Sequence, residues 1–122
     1  ATIVAACAEL EFPIENLYLD PIVMPVNVAQ AQMRDILEVI HEFKIISDPP
    51  PKTIVGLSNV SQGSCVRGLI NRIFLTMAVA HGLDAAILDP LDKDLVDAAI
   101  TAELILNKQI YCDSYLGAYR KK

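Results

Sequence analysis

The sequence predicts an α/β fold with parallel strands, and three observations carry that reading. Three short apolar runs, residues 17–19, 53–57 and 85–88, recur at intervals of a little over thirty residues. None alternates polar with apolar, the pattern of parallel strands covered on both faces. Helical patterns separate them. Two of the runs also leave through the same dipeptide, LYLDP at 17–21 and AILDP at 86–90. Pro cannot donate to a ladder and pushes its predecessor out of helical backbone, so Asp-Pro marks a strand exit.

Each element has its own signal. The opening ATIVAACAEL looks like a helix entered part-way; it lacks a basic n-region and does not read as a signal peptide. Between 30 and 43, Met33, Ile36, Leu37, Ile40 and Phe43 share one helical face. Asp48-Pro49-Pro50-Pro51 is a stiff structural loop feeding the second strand. That strand leaves through GLSNVSQG, residues 56–63, small, polar and bounded by glycine. A mostly apolar helix is expected over 66–80, stopped by His81-Gly82. After the third strand, Leu95, Val96, Ala99, Ala102 and Leu106 share a face over 92–108, with Asp92 as N-cap. A short helix is expected over 113–119.

Three parallel strands alone leave two long unpaired edges. No GxGxxG and no phosphate-binding P-loop follows any strand, which argues against a dinucleotide fold. A closed (β/α)8 barrel has about 250 residues and no edges. The 122 residues are therefore expected to form close to half of a barrel, one unit over 1–122. With 53 % hydrophobic residues and a mean hydropathy of +0.39, the chain is more apolar than a free-standing domain of its size needs. The surplus and the abrupt start both suggest a piece of something larger.

Composition excludes several functions. Fifteen acidic against ten basic side chains give a net charge of −5, the wrong sign for a nucleic-acid surface. The basic cluster Arg120-Lys121-Lys122 reads as a solvated tail. No run approaches the ~18 uninterrupted apolar residues of a membrane span. Cys7, Cys65 and Cys112 are odd in number and in no CxxC spacing, so neither a disulfide framework nor a metal site follows. Reduced thiols of a cytoplasmic protein are the expectation. With no Trp and 6 % aromatic residues, base-stacking platforms are not expected.

In α/β sheets, open or closed, ligands bind at the carboxyl ends of the strands. Asp20, Ser58-Asn59 and Asp89 stand there. Asp20 either accepts paired N–H bonds from a ligand edge or caps the following turn; Asp89, before Pro90, reads as a cap. Asn59 and Gln62 can be turn residues. Two carboxamides beside Ser58 and Ser61, however, are more than a turn requires, which favours a binding site. Arg67 can hold an acidic ligand tail or pair with a surface acid. His41 and His81 fall on helices with no nucleophile partner, and Asp97 and Glu103 read as a solvated face. The residues alone point to a neutral hydrogen-bonding pocket with one carboxylate, suited to a polar heterocycle.

The order LYLDP, then GLSNVSQG, then an Arg and LINRIFL resembles the C-terminal part of methyltetrahydrofolate:corrinoid/iron–sulfur protein methyltransferases. These belong to the pterin-binding family that includes dihydropteroate synthase. The resemblance spans essentially the whole chain, through DPIVMPVNVAQ and KTIVGLSNVSQ to IYCDSYLGAYRKK. It implies the last three βα units, strands six to eight, of a (β/α)8 barrel. By resemblance, Asp20 hydrogen-bonds the pterin and Asn59 reaches its N5. Gln62, Arg67 and Ser58 line the same pocket, and Ile87 forms an apolar wall. The synthases carry Ser-Arg-Lys-Ser on the corresponding strand, and Asn59-Val60 stand here in place of Arg-Lys, which disfavours that branch. The implied reaction moves a methyl group between N5 of methyltetrahydrofolate and the cobalt of a corrinoid (cobalamin) on a partner such as a corrinoid iron–sulfur protein. A homodimer is implied as well. The alternatives are a methionine synthase-type or demethylating-system pterin module, or a non-catalytic half-barrel that assembles with another chain.

Overall fold

A computed structural model describes residues 2–120. Its elements run α1 (Thr2–Glu9), β1 (Tyr18–Leu19), α2 (Val26–Ala29), α3 (Met33–Phe43), β2 (Lys52–Gly56), α4 (Arg67–His81), β3 (Ala85–Ile87), α5 (Lys93–Ile105) and α6 (Tyr115–Arg120). The three strands form one parallel sheet in the order β1-β2-β3. Parallel neighbours require long crossovers, and α3 and α4 supply them. The fold is thus mixed α/β with a small parallel sheet.

The helix boundaries follow local chemistry. The apolar face read at 30–43 begins as a 3-10 turn over Gln30–Gln32 and becomes α3 at Met33. Ile36, Leu37 and Ile40 are its buried residues, each stabilising by about 1.5–3 kcal/mol. Helix α4 ends in a Schellman cap: Gly82 takes φ +111°, its N–H bonds Val79 O, and Leu83 N–H bonds Ala78 O. Asp92 caps α5 by accepting from Leu95 N at 3.2 Å. On α5, Leu95 is buried and Ala99 and Ala102 pack against the core, while Leu106 stays 39 % exposed. The last helix is shifted slightly from its expected position, to Tyr115–Arg120.

One side of the sheet holds the core. Strand side chains alternate between faces, so Thr53, Val55 and Leu57 point into the helical layer, where Val55 and Leu57 join Ile40, Phe74, Leu75, Ala78 and Leu95. Ala86 and Leu88 pack onto the same side. The opposite face is bare: Tyr18 is 53 % and Ile87 70 % exposed. Coverage on both faces, expected from the unbroken apolar runs, is therefore met on one face only within this chain.

Two surface expectations are corrected. Asp97 is not simply solvated, since Arg120 donates to it from Nε at 2.7 Å and Nη2 at 2.5 Å, tying α6 to α5. Arg120 is accordingly not a free tail residue; Lys121 and Lys122 lie outside the described residues. Glu103 accepts from Gln109 Nε2 at 2.9 Å. Among the described residues no helix is long and apolar enough to cross a membrane.

Candidate functional site

The carboxyl end of β2 builds the site. Its last residue, Gly56, pairs with Ile87 of β3 and, by alternation with Val55, faces the bare side of the sheet. The chain then tightens into a 3-10 turn over Leu57–Ser61 rather than an open loop. This turn buries Leu57, Val60 and Ser61 and leaves Ser58 and Asn59 outward. A Cβ placed on Gly56 would stand 3.6 Å from Asn59 Nδ2. The Asn59 carboxamide therefore lies over the bare face, at the level of the exposed Ile87. Neither the Asn59 nor the Gln62 side chain takes a hydrogen bond from, or donates one to, the described residues. Both carboxamides stand available to a ligand.

Arg67, first residue of α4, is directed back at this turn. It donates from Nη2 to Ser58 O and from Nε to Ser61 Oγ, each at 3.1 Å, and Ser61 Oγ donates to Ser58 O at 3.3 Å. The guanidinium thus staples the exit loop to its helix. Gln62 N–H closes the turn on Asn59 O at 3.3 Å.

Asp20 lies one strand over, at the end of β1. Its Oδ1 accepts from Ile22 N at 2.7 Å, the turn-capping geometry, which leaves Oδ2 unused. The turn holds Ile22 at φ +65°, a strained conformation for a β-branched residue. Asp89 caps in the same way, accepting from Leu91 N at 2.9 Å. The two Asp-Pro exits are therefore one device used twice. His81 Nδ1 lies 2.7 Å from Met77 O at the far end of α4, and His41 is on the surface of α3, both away from these residues. Among the described residues there is no cluster suited to a metal ion, and the three cysteines are free.

Residues that sequence reasoning passed over also shape this end. A Cβ on Gly63, which sits at φ +80°, would come within 2.9 Å of Asn27 Nδ2. The Asn27 side chain, after β1, therefore packs closely against Gly63, after β2. Its place inside the DPIVMPVN string was the available signal. A depression of about 300 Å³ opens between the α4 and α5 N-termini, lined by Ser58, Arg67, Asn71, Asp89 and Asp92 among others. Asn71 Oδ1 is buried there without a partner; nothing in its sequence context marks it.

No family model matches the chain. Among curated proteins it is similar to a methylcorrinoid:tetrahydrofolate methyltransferase of Eubacterium limosum, with 29 % identity over 113 residues. The match covers 87 % of this chain and 39 % of that protein, so the chain spans about two-fifths of its relative's length.

Proposed function

We propose that the chain carries part of the pterin site of an enzyme moving a methyl group between N5 of methyltetrahydrofolate and the cobalt of a corrinoid held by a partner protein. In this reading residues 1–122 form the last three βα units of a (β/α)8 barrel, and the bare sheet face lines the barrel interior. One observation carries it: a relative named as a methylcorrinoid:tetrahydrofolate methyltransferase aligns across the segment whose Asn59 carboxamide overhangs the bare face. Asp20 holds the pterin edge through its unused oxygen, Gln62 and Ser58 add polar contacts, Ile87 packs on the ring, and Arg67 keeps the loop in place. The relative's name runs from methylcorrinoid to tetrahydrofolate; the same pocket serves both directions.

The chemistry is a displacement at carbon. Toward cobalt, the electron pair of the N5–CH3 bond stays on nitrogen, which takes up a proton, while a cobalt electron pair forms the new bond to carbon. In reverse, the N5 lone pair attacks the methyl of the methylcorrinoid substrate, the carbon–cobalt pair leaves with the corrinoid, and N5 gives up its proton. The amine leaves badly unless N5 gains charge or a proton as its bond breaks. In this reading the proton is supplied by water beside the Asn59 carboxamide. A carboxamide whose hydrogen bond strengthens only as N5 becomes basic favours the transition state over the ground state. Replacing Asn59 by Ala in an active enzyme containing this chain tests the reading. Transfer should slow far more than folate affinity falls; equal losses would reduce Asn59 to a binding residue.

A second reading, a non-catalytic half-barrel completed by another chain, is favoured by the unpaired outer edges of β1 and β3. Titration of the 122-residue chain with methyltetrahydrofolate separates the two. Binding by the chain alone supports a retained pocket, and self-association without binding supports the half-barrel.

A further inference from the structure

The three strand exits are not held in the same way. After β1 and β3 an acidic side chain fixes its own turn: Asp20 accepts from Ile22 N, and Asp89 from Leu91 N. Asn59 could fix the β2 exit likewise, because Asn readily bonds the backbone of its own turn. It does not. Its carboxamide is outward and has no partner among the described residues. Two other side chains hold this turn instead. Ser61 is fully buried, and its Oγ accepts from Arg67 Nε at 3.1 Å and donates to Ser58 O at 3.3 Å. Arg67 Nη2 donates to the same carbonyl at 3.1 Å. These bonds fall on both sides of Asn59, at 58 and 61, and the intervening Val60 is buried as well. Arg67 forms no ion pair among the described residues, although Asp89 and Asp92 line the depression that it shares with Ser58. Its guanidinium is committed to the turn.

We infer that Ser61 and Arg67 are positioning residues, which hold the backbone on both sides of Asn59 so that its carboxamide stays aimed at the reacting nitrogen. This rests on the pterin reading and adds to it Ser61, a side chain too deeply buried to touch a ligand. A carboxamide that fixed its own turn would have to break that bond to meet N5 as it becomes basic. One that is already free and held in place needs no rearrangement at that moment. Arginine suits the task because its planar fork sends two N–H groups in fixed directions, here to a hydroxyl and a carbonyl. A lysine ammonium cannot reproduce that pair.

The test uses an active enzyme containing this chain, with single-turnover methyl transfer, folate affinity and urea unfolding measured on each variant. Ser61→Ala should lower the transfer rate about 10- to 100-fold, as when a reacting group is slightly misplaced, with folate affinity held. The decisive measurement is the same change made in Asn59→Ala enzyme, where it should slow transfer no further. Arg67→Lys, an exposed change that leaves the core intact, should behave like Ser61→Ala. Its effect should be equal on methyltetrahydrofolate and on a methyltetrahydropterin lacking the acidic tail. The same penalty from Ser61→Ala with and without Asn59 overturns the inference, since it would make Ser61 a general structural residue. A loss on Arg67→Lys confined to the tailed substrate also overturns it, by making Arg67 a tail ligand. If Asn59→Ala slows transfer and Ser61→Ala does not, the inference alone fails. If Asn59→Ala leaves transfer intact, the pterin reading fails and the inference with it.

Discussion

The two ends of the sheet are built on opposite principles. At the amino end polar groups are tied to one another. Asp84, just before β3, accepts from Lys44 Nζ at 2.6 Å and from the N–H of Thr53 at 2.8 Å, while its own N–H reaches Thr53 Oγ1 at 3.1 Å. Lys44 also donates to Pro51 O, and Thr53 Oγ1 to Gly82 O. This clamp joins α3, both strand starts and the α4 cap around a fully buried Thr53. At the carboxyl end, the Asn59 and Gln62 carboxamides have no partner, Asp20 keeps one oxygen unused, and Ile22 is strained. Satisfied polar groups stabilise a fold but have nothing left for a ligand, whereas unsatisfied ones bind at the expense of stability. Separating the two by one strand length lets the loops change without loosening the sheet.

That division is sharpest at Asn59. In an active enzyme, Asn59→Ala should lower methyl transfer about 10²–10³-fold, the usual effect of losing one transition-state hydrogen bond. The unfolding midpoint should not move, since the carboxamide supports nothing in the fold. A matching fall in stability would mean the carboxyl end is structural too. The reciprocal change is Asp84→Ala. It strands the buried Thr53 N–H and the Lys44 ammonium, and should cost about 1–3 kcal/mol in urea unfolding, with transfer per folded molecule unaltered. If transfer fell while stability held, the comparison would fail at its other end.

The smallest effect is in pH. Burial disfavours the charge on Asp84, but the hydrogen bonds from Lys44 and the Thr53 N–H, with the charges of Lys44 and Lys52, outweigh it and hold the carboxyl below its ordinary 3.8. A carboxylate depressed on folding contributes stability above the unfolded value, and that contribution is lost as pH falls below 3.8 through the folded value. The urea midpoint should therefore drop on acidification below that point, and drop less in Asp84→Asn. An identical acid limb in both proteins would mean that other carboxylates dominate.

Much of this architecture was legible beforehand, for reasons that can be named. Strands β1 to β3, read from unbroken apolar runs over 17–19, 53–57 and 85–88 and formed over 18–19, 52–56 and 85–87, and the buried face of α3, read from helical spacing, follow from patterns that burial imposes directly on sequence. Gly82 and Asp92 were readable as caps because a left-handed cap and an orphan N–H each demand particular residues. The pairing of Asp97 with Arg120 was not, since the partners lie twenty-three residues apart on different helices. The clamp was equally hidden, because Lys44 and Asp84 meet only once β2 and β3 are in register. At the site, the excess of carboxamides in GLSNVSQG was visible, but the role of Arg67 as a staple depends on a turn whose 3-10 geometry has no distinct residue code.

The sequence by itself determined which segments are strands and helices, which helix faces are buried, and which short strings carry polar groups at strand exits, because these are local matters of periodicity and backbone preference. Only the tertiary structure decided that Asn59 overhangs Gly56 beside Ile87, that the sheet is bare on one face, and which face of the apolar α4 is covered. Those are relations between residues distant in the chain, set by strand register and helix packing, and no local pattern encodes them.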